Sequence, residues 1–540
     1  MKRLISVVLF MFVGGALGNA TAQGLTKQLN NSDVPQAMTV EELNELGDPL
    51  FLLFLKEQSN RVLLSELEQA VQPISEDRQL FVVDEKIIDA TRPQSRRAVI
   101  TFQGQTDGIE LKDNVMLSVV FTDTEFRDDA FIEAWGWDEQ RRRYNYYRMD
   151  QGSWKFRGSS EDRNQFGVDG TCFACHLNGA PVMKELLIPW NHWHSRSSKI
   201  GYFDRLQPTD KRWPIVDDPR FDNLEDAALL DLQVRSSIAN FNSKRLDSSR
   251  ADGSIDDAQT LLNHVFQTTE FNIISARVKS NLHPLSSDGQ TEPSQAFSIP
   301  ASFFLNSAII EGGGLSGFQN GFTLDDFRSF QSDDALKVTS SEYASLVQDF
   351  DLQVDDVPGD ADFAWLVPEP SDVDNHMIDK LIGEKIVPAQ YVAAAMAIDL
   401  RTPVLSSDRA SLQAFVPERF EVSEPIDGDP LNLTWFEEHD LTRRTIERLE
   451  STDLVGNRAG REFLDILTSS NGRSPLQELA SRVTEYASEV NTKLSGPDRA
   501  TELRRLFTLA IDRRKAVQEH PTLGHLDETG GKLLFPEAGD

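Results

Sequence analysis

The sequence predicts an α+β chain, an antiparallel β-meander followed by a large, mainly α-helical region. Three observations carry this. Between residues 99 and 156, β-branched and aromatic runs of strand length alternate with turn signals such as Gly104, Gly108 and Gly152. Ahead of that block, apolar residues between Val40 and Gln72 recur every three to four positions, the period of a helix with one buried face. Beyond residue 200 the same helical spacing returns in one segment after another, with no internal repeat and no low-complexity tract.

Taken in order, residues 1–22 read as an export signal. Lys2 and Arg3 form a positive start, Leu4 to Leu17 an apolar run, and Ala20-Thr21-Ala22 an A-x-A cleavage pattern. The apolar run is short for a membrane span, so the mature chain is expected to begin at Gln23, without a span, in the periplasm or secreted. Residues 23–94 are expected to be an N-terminal helical segment. Leu43, Leu46, Leu50, Leu53 and Leu55 lead into Val62, Leu63, Leu64, Leu67 and Val71, and Pro73 with the charged residues after it closes the run.

Residues 95–200 are expected to form a β-rich unit. Its strands are Val99 to Phe102, Val115 to Phe121, Phe131 to Trp137, Arg142 to Met149 and Trp154 to Phe156, joined by polar turns. The aromatics of these runs belong mostly in a sheet core. An acidic helical region is expected over 201–345 and a C-terminal helical region over 346–540. Asp349 to Asp362, with six aspartates, reads as an exposed linker between them. Met377 to Leu400 is the strongest late helix, interrupted at Pro388.

Composition narrows the function. At 540 residues the chain is long enough for two to four domains, and 39% hydrophobic residues suffice for real cores. A net charge of −32 argues against nucleic acid and anionic membranes as partners and favours basic or neutral ones. Phosphate-loop, H-E-x-x-H and G-x-S-x-G motifs are all lacking.

Chemistry concentrates in Cys172-Phe173-Ala174-Cys175-His176, which contains both cysteines of the chain. C-x-x-C-H is the attachment pattern of c-type haem. Two thiols at this spacing can each add to one vinyl group of a porphyrin, and the following imidazole becomes the proximal iron ligand. One covalent haem c is therefore expected on Cys172 and Cys175, with His176 on the iron. Export agrees, since a disulfide-forming compartment is also where such attachment occurs. A redox dithiol would want a βαβ context, which is missing.

The sixth ligand stays open. His192 and His194, inside Trp190-Asn191-His192-Trp193-His194, are candidates for the distal side. Met183 follows His176 by only seven residues, Met377 and Met396 sit on helical patterns that suit core positions, and Met116 and Met149 on the strands could also face the iron. An iron left open to a gas, peroxide or substrate is the remaining option.

A strand meander preceding a late C-x-x-C-H resembles the arrangement of the cytochrome P460 and cytochrome c′-beta group, over about residues 95–185. The match at motif level is Cys172, Cys175 and His176. The resemblance implies a pentacoordinate haem that binds small ligands or oxidises small nitrogenous compounds. The long helical part departs from that group, and no lysine is marked as the porphyrin cross-link of the P460 type. The residues themselves lead to an exported mono-haem c-type cytochrome in electron transfer with a protein or small-molecule redox partner. A haem enzyme, oxidase or peroxidase, with an open distal iron is the alternative, as is a haem-based redox or gas sensor.

Overall fold

The computed structural model describes residues 40–55, 77–84, 95–106, 108–122, 132–150, 153–161, 172, 176, 179, 181, 224–267, 271–275, 283–284, 297–299, 301–305, 309–310, 336–351, 353–354, 357–360, 366–370, 372–403, 406–429 and 431–519. Its organising element is a six-stranded sheet whose strands lie side by side in chain order, each antiparallel to the next. The strands are β1 (Asp77–Asp84), β2 (Ser95–Gln103), β3 (Val115–Thr122), β4 (Ile132–Asp138), β5 (Arg143–Asp150) and β6 (Ser153–Ser159). The expected meander is therefore present, and it gains a strand. The sheet starts at Asp77, upstream of the expected residue 95, because Leu80, Phe81 and Val82 form a short buried run inside a charged segment. Such a run is too brief to declare a period on its own.

Period-two alternation gives the sheet two apolar faces. On one face, Leu80, Ile100, Leu117, Ala134, Tyr147 and Met149 pack with Leu43, Leu46, Leu50 and Phe51 of the N-terminal segment. That segment holds α1 (Val40–Asn44) and a π-helical turn at Phe51–Leu55. On the other face, Phe81, Val99, Met116, Trp135, Trp137, Tyr144 and Tyr146 are covered by α2 (Ala227–Ser249). The chain approaches α2 along the edge of β1, where Leu224 bridges to Leu80. The Asp226 carboxylate then caps the helix by accepting from the Ala228 N–H at 2.9 Å. Ala227, Leu230, Val234, Ile238 and Phe241, spaced three to four apart, face the sheet.

The remaining helices build a second core. The longer ones are α3 (Ala258–Phe266), α4 (Ser340–Asp349), α5 (Asp372–Gly383), α6 (Ala389–Ala397), α7 (Asp440–Ser451), α8 (Arg458–Leu467), α9 (Pro475–Ser495) and α10 (Arg499–Glu519). The expected break at Pro388 is real, since Pro388 stands at the N-terminus of α6. Every residue of α6 is buried, which is why its sequence is alanine-rich: small side chains let neighbouring helices close on all sides. Tyr391 on α6 meets Phe463 edge-on at 5.8 Å and Phe266 at 6.2 Å. Paired capping boxes start α4 (Thr339 with Glu342) and α9 (Ser474 with Gln477). The aspartate-rich stretch is more than a linker, for Val357–Asp360 pairs with both Gln353–Val354 and His283–Pro284. No described helix is long and apolar enough to cross a membrane.

Candidate functional site

The Cys172 turn sits on the α2 side of the sheet. Cys172 is half-buried and packs against the cluster of Met116, Trp135 and Tyr146. The His176 N–H donates to the Cys172 carbonyl at 3.1 Å, so a backbone turn ties these two residues together. The Gly179 N–H then donates to the His176 carbonyl at 2.9 Å, so a tight turn follows at once. Gly179 is buried with φ of 74°, in the left-handed region where a side chain would be strained. Cys175, His192, His194 and Met183 lie outside the described residues.

Tyr146 on β5 joins the sheet to this turn. Its hydroxyl donates to the Gly179 carbonyl at 2.8 Å, in a buried bond. Its ring lies against the His176 imidazole, with centroids 5.1 Å apart and planes inclined by 46°. One tyrosine therefore touches both the imidazole and the turn behind it. A local irregularity accompanies this contact. Tyr146 pairs with Gly158 and Tyr147 with Phe156, leaving Arg157 as an extra residue on β6. Gly158, at φ 115°, supplies the conformation that the bulge requires.

Behind Tyr146 the aromatics are close-packed. Trp135, directly across from Tyr146 in the ladder, meets Tyr144 edge-on at 4.9 Å, and Trp137 lies 4.8 Å from Tyr144. The Tyr144 hydroxyl donates to the Ser237 carbonyl of α2 at 3.0 Å, and burial pushes its phenol far above the ordinary range. Tyr144 is thus a neutral structural strut. The wall offered to the Cys172 turn is largely apolar, and the hydroxyls of Tyr144 and Tyr146 and the indole N–H of Trp137 are already bonded.

The methionines sort by face. Met116 shares the cluster with Cys172, whereas Met149 is buried on the opposite face of the sheet. The expectation that Met149 could face the same iron as Met116 is corrected by strand alternation. Met377 and Met396 are buried in the helical core.

Two buried polar groups elsewhere were invisible in the sequence. Asp48 accepts from the Tyr147 hydroxyl at 2.5 Å, from Asn145 Nδ2 at 2.8 Å and from the Phe51 N–H at 3.0 Å. Burial drives its carboxyl upward, against those hydrogen bonds. In the helical core, His264 Nδ1 and Asp374 Oδ1 are 2.6 Å apart, and Arg245 lies 2.9 Å from His264 Nε2. A guanidinium only donates, so Nε2 accepts and Nδ1 carries the proton. His264 is neutral and held from both sides, and burial lowers its pKa. Both groups are occupied by protein partners and fit structural roles. Among the described residues no three metal-ligating side chains converge. The chain matches no family model, no curated protein and no solved structure.

Proposed function

We propose that this chain is an exported mono-haem c-type cytochrome that takes part in electron transfer. The observation that carries the reading is the C-x-x-C-H motif, with Cys172 and His176 both set against an apolar aromatic cluster. The residues present fit the group. Cys172 and Cys175 would hold the porphyrin through two thioether bonds, and His176 would supply the proximal nitrogen. The backbone bond from His176 to Cys172 supports this, because it keeps the residues that carry the first thiol and the imidazole close together. The bound haem supplies one-electron exchange between ferric and ferrous iron.

The chain's own residues do the rest. Met116, Trp135 and Tyr146 offer an apolar surface that excludes water, and low local polarity strengthens every charge interaction there. The acidic balance of the chain favours a basic or neutral redox partner. An export signal at residues 1–22 would deliver both thiols to the compartment where attachment takes place.

The test is chemical. Protein produced in a bacterium with haem c maturation is extracted with acid and acetone, then reduced in alkaline pyridine. The haem is expected to stay with the polypeptide and show the spectrum of a porphyrin with two saturated side chains, one haem per chain. Replacing both Cys172 and Cys175 by Ala is expected to abolish retention. Haem that leaves on extraction, or a colourless wild-type protein, overturns the reading.

A further inference from the structure

We infer that Tyr146 is the positioning residue for His176, and this inference rests on the haem reading above. Two contacts of that one side chain, and a backbone bond between the residues it touches, carry the inference. The ring packs on the imidazole at 5.1 Å, the hydroxyl binds the Gly179 carbonyl at 2.8 Å, and Gly179 is bonded back to His176 at 2.9 Å. The result is a closed loop of contacts from Tyr146 through the turn and back to His176. The Tyr146 ring thus stands beside one side of the imidazole. A shift of the turn away from that ring would stretch the buried hydroxyl bond to Gly179.

Tyr146 is itself immobile. It is 2% exposed, lies directly across from Trp135 in the ladder, and belongs to a strand whose neighbouring pairing is set by the bulge at Arg157. Groups that touch a ligand from behind orient it, and losing such a contact typically costs about 10–100-fold in metal affinity or activity. Were a haem held here, the packing around its histidine ligand would be one of the protein's levers on the iron's electronic structure and potential. The two contacts are separable. Tyr146→Phe keeps the ring against His176 and removes the tether to Gly179. Tyr146→Leu removes both.

The experiment uses full-length protein carrying covalent haem, with retention on acid–acetone extraction checked first. Both variants are expected to retain the haem, since the thioether bonds do not involve Tyr146. The low-temperature paramagnetic resonance of the ferric form is expected to change its spread of g-values in both. The midpoint potential is expected to shift in the same direction in both, with Tyr146→Phe lying between wild type and Tyr146→Leu. A merely structural tyrosine would lower the unfolding temperature and leave resonance and potential at their wild-type values, and that outcome overturns the inference. Should Tyr146→Leu fail to fold, the isosteric Tyr146→Phe carries the test alone, with an unchanged resonance and potential as the refuting result. Loss of haem from the wild type on extraction removes the haem reading and this inference together, whereas unchanged spectra on retained haem remove only this inference.

Discussion

His439 makes acid stability a quantitative test of the helical core. It is 0% exposed at the start of α7, packed edge-on to Trp435 at 5.4 Å and near Phe420 at 5.9 Å. Neither ring nitrogen has a hydrogen-bond partner among the described residues. Burial pushes its pKa down to about 4, with Asp440 opposing the change. The fold therefore holds the neutral imidazole, while the unfolded chain takes up a proton near the ordinary value of about 6.5. Above that value the site costs nothing in protonation. As the pH falls from about 6.5 towards 4, the unfolded state binds the extra proton and stability declines, levelling off below 4. Each tenfold difference in proton affinity between the folded and unfolded chain is worth about 1.4 kcal/mol, so the loss comes to roughly 3 kcal/mol. His439→Phe keeps an aromatic ring in the same packing and deletes the titration, so near pH 7 it should change stability by less than about 1.5 kcal/mol. The assay is urea unfolding followed by far-ultraviolet circular dichroism at pH 7, 6, 5 and 4 for both proteins. The variant is expected to gain roughly 3 kcal/mol on the wild type between pH 7 and pH 4. Parallel pH profiles for the two would refute the argument.

Three further outcomes follow from the same geometry. Gly136→Ala would place a Cβ into the buried Asp48 carboxylate, which is held by three donors and has no room to retreat. A loss of roughly 3 kcal/mol is expected, read as a lower unfolding temperature. Arg409 is buried, its guanidinium pushed down to about 10 by desolvation, and it donates to the carbonyls of Ile398, Thr402 and Pro403. Arg409→Met should cost roughly 3 kcal/mol by stranding those oxygens, and urea titration would show a change below about 1 kcal/mol if the carbonyls found other partners. Finally, the proposed electron-transfer role expects a reduced spectrum that carbon monoxide leaves unchanged. A shifted Soret band on adding the gas would favour an open iron instead.

Much of the fold is legible in the sequence because its signals are local. The strands from Val99 to Phe156 show themselves through β-branched and aromatic runs bounded by turns, and the late helices through three-to-four spacing and caps. Strand β1 is not legible, because the four apolar residues Leu80 to Val83, set among polar and charged ones, run together and show no period. The division of labour between neighbouring tyrosines is half legible. Alternation alone puts Tyr144 and Tyr146 on one face and Tyr147 on the other, yet nothing local says which face meets the Cys172 turn. Tyr146 can be picked out only by knowing that Gly179, thirty-three residues on, returns to it.

The sequence by itself determined the chemistry expected of Cys172, Cys175 and His176, because covalent attachment and axial ligation demand fixed residue types at fixed spacing. It also determined the antiparallel meander, because side-chain alternation is a property of the extended backbone. Only the tertiary structure decided that Met149 is turned away from Cys172 while Met116 is not. It alone brought His264 to Asp374 across 110 residues, and Asp48 to Tyr147 across 99. Those contacts join segments that share no local period, so they exist only once the sheet and the helices have packed. The C-x-x-C-H spacing is legible in the chain alone, whereas the contact of Tyr146 with His176 and Gly179 exists only in the folded protein.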